Sequence, residues 1–197
     1  MKRSSKLLLA ASVFGVLGLG VASVNATDID LTATLTASAA VTVANNSNFD
    51  FGVFDYSAGH IGVYELGPDG NGTFTSQTNL TATGTNTAGQ LAVTSLSGTI
   101  DITCDATAII SDGTRALTLT EVKWDVTAAT YGAASNTCAG IGTSSVTIDT
   151  ATTASPTLFV GAQLTIASNA LNSSSGSVAY DTGTGSGSPI TFRIVYQ

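Results

Sequence analysis

The sequence predicts an all-β chain, folded as a single antiparallel β-sandwich of immunoglobulin-like or jelly-roll-like form with one disulfide. Three observations predict it. Residues 28–43, DIDLTATLTASAAVTV, alternate between an apolar row (Ile29, Leu31, Ala33, Leu35, Ala37, Ala39, Val41, Val43) and a row that is almost entirely polar, the period-2 pattern of a half-buried strand. Short segments rich in Val, Ile, Thr and aromatic residues then recur between Gly, Asn, Asp and Ser clusters, at the spacing of an all-β domain. No stretch of the mature region carries helical periodicity.

In chain order, residues 1–26 read as a signal peptide. Lys2, Arg3 and Lys6 form a basic start, an apolar run follows, and Val24-Asn25-Ala26 offers a small-residue cleavage site between Ala26 and Thr27. Cleavage there removes three of the six basic residues and none of the thirteen acidic ones, leaving Arg115, Lys123 and Arg193 and a net charge of about −10. Three cations cannot neutralise a phosphate backbone or hold an anionic lipid surface, so nucleic-acid binding and electrostatic membrane docking are not expected. No second apolar run of comparable length follows, and no membrane span is expected after cleavage.

Residues 27–43 form an N-terminal extension or donor-like strand, and 44–197 the sandwich domain. As one strand, 29–43 would run roughly 50 Å, well beyond the usual five or six residues. An over-long, apolar-faced first strand fits insertion into a sheet, its own or a neighbour's. The candidate assembly residues are Ile29, Leu31, Leu35, Val41 and Val43. The mature chain has one lysine and three prolines, so its sheet edges lack the usual guards against pairing with other chains.

NFDFGVF at 48–54 and VYEL at 63–66 precede the turn GPDGNG at 67–72 and TFT at 73–75, a hairpin signature in which Pro68 pre-sets φ. Further strands are expected at 79–83, 89–94, 99–104, 116–126, 144–149, 157–166, 177–180 and 190–197. In LTLTEVKWDV, Leu117 and Leu119 share one parity and Val122, Trp124 and Val126 the other, which predicts a bulge near Glu121 and a core role for Trp124. Residues 128–142, 170–176 and 181–188 are expected to be loops.

Cys104 and Cys138 are the two cysteines of an exported chain and read as one disulfide. It closes a loop worth roughly 3 to 4 kcal/mol on the chain-entropy model. One histidine and two thiols do not complete a zinc site, and neither a metal nor a cofactor is expected. His60, in SAGHIG, reads as a solvated turn residue without a nucleophile to serve. Carboxylate pairs such as Asp101 with Asp105 or Glu121 with Asp125 arise by chance among thirteen acids, and no catalytic residue is assigned. Asp69 and Asn71, with Glu65 nearby, offer oxygen ligands to calcium, though a plain hairpin turn accounts for the same residues.

The chain ends in ITFRIVYQ, with Ile190, Phe192, Ile194 and Tyr196 on one face. The signal peptide, the alternating N-terminal segment, the Thr/Ala/Gly-rich acidic β domain with a disulfide and the penultimate tyrosine resemble bacterial pilus subunits of the chaperone-usher type. NFDFGVF, VYELGPDGNGTFT and ITFRIVYQ resemble more closely a group of secreted fimbrial-subunit-like bacterial proteins known only as a domain of unknown function.

The resemblance implies an extracellular or cell-surface fibre subunit that self-associates by strand addition. Residues 29–43 would be the donor strand, 190–196 the terminal strand recognised by a periplasmic assembly chaperone, and the route would pass through the periplasm. The chain departs from pilins in placing its disulfide in the middle and in carrying Thr184 where pilins tend to have a glycine. The other reading is a self-contained secreted or surface-displayed adhesive module, with Tyr56, Tyr64 and Tyr131 as candidates for a stacking surface.

Overall fold

The computed structural model describes residues 22–26, 31–35, 41–95, 98–142, 146–149, 155–171 and 178–196. They form fourteen strands and one short 3-10 turn in two sheets: β1 (Ala22–Ala26), β2 (Leu31–Leu35), β3 (Val41–Ser47), β4 (Gly52–Leu66), β5 (Gly72–Thr83), β6 (Gly89–Ser95), β7 (Thr99–Cys104), β8 (Ala108–Ser111), β9 (Ala116–Asp125), β10 (Asn136–Thr137), β11 (Val146–Asp149), β12 (Thr157–Ile166), β13 (Val178–Ala179) and β14 (Ile190–Tyr196). One sheet has ten strands, with the path β10-β9-β12-β4-β1-β13 and β3, β5, β6 and β8 branching from it. The other has four, in the order β11-β7-β14-β2. Pairing is antiparallel except between β1 and β13 and between β14 and β2.

A single hydrophobic cluster takes side chains from both sheets, among them Leu91, Leu119, Trp124 and Leu164 of the larger and Ile100, Ile102, Phe192 and Ile194 of the smaller. The chain is therefore an all-β sandwich. Alternation produces this directly: in β7, Ile100, Ile102 and Cys104 are buried while the residues between them are half-exposed, because successive side chains leave a strand on opposite faces. At one end Phe54, Tyr64 and Phe74 meet edge to face, with ring centroids 4.7–5.8 Å apart, the favoured geometry for aromatic pairs.

β9 carries the expected bulge. Leu117 and Leu119 are buried, then Val122 and Trp124. Glu121 takes φ 46°, and the register against β12 slips between Gly161 and Gln163. The extra residue lets one strand bury two parities in turn. The hairpin at GPDGNG also forms, with Leu66 opposite Gly72. Its arms are longer than the sequence suggests: 79–83 continues β5 rather than forming a strand of its own.

Besides β1, which lies inside the expected signal peptide, β8 and β10 add to the strands expected from sequence, and β10 lies inside the expected loop 128–142. Both are short, and pairing with β9 defines them more than their own pattern does. The disulfide joins Cys104 at the end of β7 to Cys138 just past β10. It therefore links the four-stranded sheet to the ten-stranded one, beside backbone bonds from Cys138 N–H to Val122 O (2.8 Å) and Gly140 N–H to Cys104 O (3.0 Å).

Candidate functional site

The segment expected as one donor strand is divided. Leu31 and Leu35 lie in β2, parallel to β14 at the rim of the four-stranded sheet, with Leu31 opposite Ile190. Val41 and Val43 lie in β3, antiparallel to β6 in the other sheet. Ile29 and residues 36–40 lie outside the described residues. The 50 Å strand is thus corrected to two shorter ones. Each ladder uses the apolar row only for as long as its own sheet extends, since the two sheets of a sandwich sit about 10 Å apart and one straight strand cannot serve both.

Leu31 shows how β2 is held. Its side chain is buried, 5 % exposed, and is seated at Gly89 of β6 and Phe49. A Cβ at Gly89 would lie 2.4 Å from Leu31 Cδ1 and 3.1 Å from the Phe49 ring, so only glycine leaves room for it. Asn45 Nδ2 donates to the Leu31 carbonyl at 3.2 Å, tying β3 to β2 across the sheets. Among the described residues β2 is laddered on one side only, to β14. In β14, Ile190, Phe192 and Ile194 are buried as the pattern predicts. The side chain of Tyr196 lies outside the described ones.

A second strand edge lies in β4. β5 covers one side of β4 along both halves, whereas the other side is divided. β12 pairs with Gly62 through Leu66, and β1 pairs with Gly52 through Tyr56. The division occurs because β12 ends at Ile166 and the chain turns beneath a bulge in β4 at 57–60. His60 fastens that turn. It is 2 % exposed, its Nε2 accepts the Leu171 N–H at 3.0 Å, and its Nδ1 lies 3.0 Å from Ser57 O. A ring nitrogen that accepts from a backbone amide carries no proton, so His60 is the neutral Nδ1–H tautomer donating to Ser57.

The Asn169 N–H donates to the His60 carbonyl at 3.0 Å. Arg115 Nη1 donates to Asn169 O (2.8 Å) and to Leu171 O. The solvated-turn reading of His60 is thereby corrected. A lone histidine in a polar segment gives no sign of its burial, because the amide that donates to its Nε2 comes from Leu171, more than a hundred positions away.

The other candidates have structural work. Tyr56, Tyr64 and Tyr131 are buried at 5 %, 1 % and 7 % exposure and offer no stacking surface. Tyr131 donates its hydroxyl to Glu121 O at 2.9 Å, with Lys123 Nζ 4.2 Å above its ring. Burial and the Glu121 carboxylate push its ionisation far above the ordinary range. Asp69 folds onto its own turn, accepting from Asn71 N (3.1 Å) and Asn71 Nδ2 (2.8 Å), while Glu65 accepts from Gln163 Nε2 at 3.2 Å. Asp101 accepts the Thr147 hydroxyl (2.7 Å) and Asp105 the Thr191 N–H (3.0 Å).

Asp125 is buried and accepts from Thr127 N (3.0 Å), Thr127 Oγ1 (2.9 Å) and Ser135 N (2.9 Å). Burial by itself would raise its pKa, but the donors of Ser135 and Thr127 outweigh it and bring it down to about 2. No group of three or more His, Cys, Asp or Glu side chains able to hold a metal is present among the described residues. Among them, too, no helix is long and apolar enough to cross a membrane. Two surface clefts of about 360 and 230 Å³ are open and mixed in polarity.

What the molecule does present is strand edges: a rim strand, β2, immediately downstream of the expected cleavage site, and a divided edge on β4. No family model, curated protein or solved structure matches this chain.

Proposed function

We propose that the chain is an exported structural subunit that assembles into an extracellular fibre by donating its N-terminal strand to a sheet of the next copy. The observation that carries this reading is the position of β2. It is the first described strand beyond the cleavage site and occupies a sheet rim, with β14 as its one ladder partner among the described residues. Such a strand can leave its own sheet without opening any other ladder. When identical copies exchange it, the neighbour offers the same ladder and the same apolar seat that the strand left at home, which is why domain swapping is a low-cost route to assembly.

The scarcity of lysine and proline leaves the edges open to pairing. The leader-like residues 1–26 supply export, and a periplasmic assembly chaperone is the partner class expected to cover an open edge on the way. The test is a gel of the exported protein in SDS with and without boiling, beside negative-stain microscopy of material sheared from cells. A ladder that collapses on boiling, together with thin filaments, supports the proposal; a single monomer band without filaments refutes it.

A second reading, a self-contained secreted or surface-displayed adhesive module, is favoured by one observation: β2 and β3 both pair within their own chain. Under that reading, deleting 27–35 unfolds the domain, whereas a donated strand leaves it folded and unable to assemble, with β3 still paired to β6.

A further inference from the structure

Three polar side chains meet in one row across the middle of the ten-stranded sheet. The ladders place Thr120 of β9 opposite Gln163 of β12 and Gln163 opposite Glu65 of β4. Their chain neighbours Leu119, Ala162, Leu164, Tyr64 and Leu66 are buried, so alternation turns the row towards the outer face of the sheet. Contacts run along it. Thr120 Oγ1 donates to Gln163 Oε1 at 3.3 Å, and Gln163 Nε2 donates to Glu65 Oε1 at 3.2 Å. An alcohol on one strand therefore lies against the carboxamide of the next, and a carboxylate on the third holds the nitrogen of that carboxamide.

The order of these partners is fixed by their chemistry. An ionised carboxylate only accepts, so the amide presents its NH2 to Glu65 and its carbonyl to the Thr120 hydroxyl. That is the order acyl transfer requires, with a nucleophile at the carbonyl and a proton-carrying group at the atom that leaves. The row is also sheltered. All three side chains are half-buried, and Tyr131, itself buried, donates to the carbonyl of Glu121, the residue after Thr120. The segment carrying Tyr131 thus lies beside the row, where it limits the water that competes with an attacking alcohol.

We propose that Thr120 and Gln163 become joined by an intramolecular ester that the folded chain forms itself. Oγ1 of Thr120 bonds to Cδ of Gln163, the Cδ–Nε2 bond breaks, and the nitrogen leaves as ammonia with the proton that Oγ1 gives up. Nothing is oxidised or reduced, and no co-reactant enters. Glu65, in contact with the leaving nitrogen, is the catalytic residue that carries the proton to it. The terminal torsion of a glutamine side chain is broad, so a rotation of the carboxamide turns Cδ towards the hydroxyl that now donates to Oε1. Holding the two groups together in this way is what makes an otherwise inert amide reactive. The ester adds a covalent rung between β9 and β12 within one sheet, where Cys104–Cys138 joins the two sheets. It goes beyond the fibre reading and does not depend on it.

Mass spectrometry of the unaltered chain tests this. The protein, incubated overnight at neutral pH and then reduced and denatured, should weigh one ammonia less than the sum of its residues. Trypsin locates the loss, because cutting after Arg115, Lys123 and Arg193 places Thr120 in 116–123 and Gln163 in 124–193. Joined by the ester, these two peptides should appear as one species, lighter than their sum by one ammonia. Hydroxylamine, which cleaves esters under conditions that spare amides, should release 116–123 from it.

Thr120→Val keeps the size of the side chain and removes the nucleophile, so its two peptides should appear separately and without the deficit. Glu65→Gln should lower the joined share severalfold at the same age of sample. Separate 116–123 and 124–193 at full mass in the unaltered chain overturn the ester and leave the row a set of hydrogen bonds. Peptides still joined in Thr120→Val overturn Thr120 as the nucleophile, and an undiminished joined share in Glu65→Gln overturns the part given to Glu65. The measurement on the unaltered chain decides the ester even if neither variant folds.

Discussion

Replacing Leu31 and Gly89 singly and together tests whether β2 is docked as described. Leu31 is 5 % exposed, and truncating a buried leucine to alanine costs about 2–5 kcal/mol; at a rim strand about 3 kcal/mol is expected. Gly89→Ala places a methyl 2.4 Å from Leu31 Cδ1 and 3.1 Å from the Phe49 ring. Leu31 and Phe49 both belong to the packed core, so overpacking of about 1–3 kcal/mol is expected. The backbone at Gly89 has no positive φ, so the cost is one of space alone.

In the Leu31→Ala background the nearer clash disappears while the Phe49 contact remains. The double variant should therefore be more stable than the sum of the singles by about 1–2 kcal/mol, within the range of directly touching pairs. Urea unfolding of the mature, monomeric chain reads this directly. With a slope of about 2 kcal/mol per molar, Leu31→Ala lowers the midpoint by about 1.5 M. Additivity within about 0.5 kcal/mol, or a Leu31→Ala cost below about 1 kcal/mol, would show that the Leu31 side chain is not seated against β6 in the free chain.

Two further outcomes follow from the same structure. Reducing Cys104–Cys138, or replacing both by alanine, should cost about 4 kcal/mol for the 34-residue separation, read as a lowered urea midpoint; a shift worth under about 1 kcal/mol would mean the two sheets do not rely on this link. Asp125, with its pKa lowered from 3.8 to about 2, stabilises the fold fully above pH about 4 and loses that contribution as pH falls towards 2, because the unfolded chain takes up the proton first. Asp125→Asn should therefore cost about 1–3 kcal/mol at pH 6 and progressively less on acidification, and parallel pH profiles for the two proteins would refute this.

Much of the fold was legible because local pattern and burial coincide. β7 and β12 appear with the bounds that alternation and their flanking turns imply. The β9 bulge was visible as a parity switch around Glu121, since a strand that must bury both Leu119 and Val122 has to insert a residue. The disulfide needed only two cysteines in a chain expected to be exported. Sequence by itself therefore determined the all-β class, the single covalent link and the core role of Trp124.

The tertiary structure alone decided where strand neighbours change. His60 reads as an ordinary turn residue until Leu171 donates to it from far along the chain, and the three tyrosines gave no sign of their depth. The uninterrupted alternation of 29–43 marked every residue able to lie in a strand, but not which sheet would take it. A period-2 pattern reports one dry face and carries nothing about the identity of the strand alongside, because ladders are made by backbone groups common to all residues. For the same reason the pairing of Ala22–Ala26 with β4 and β13 could be read only from the assembled sheets.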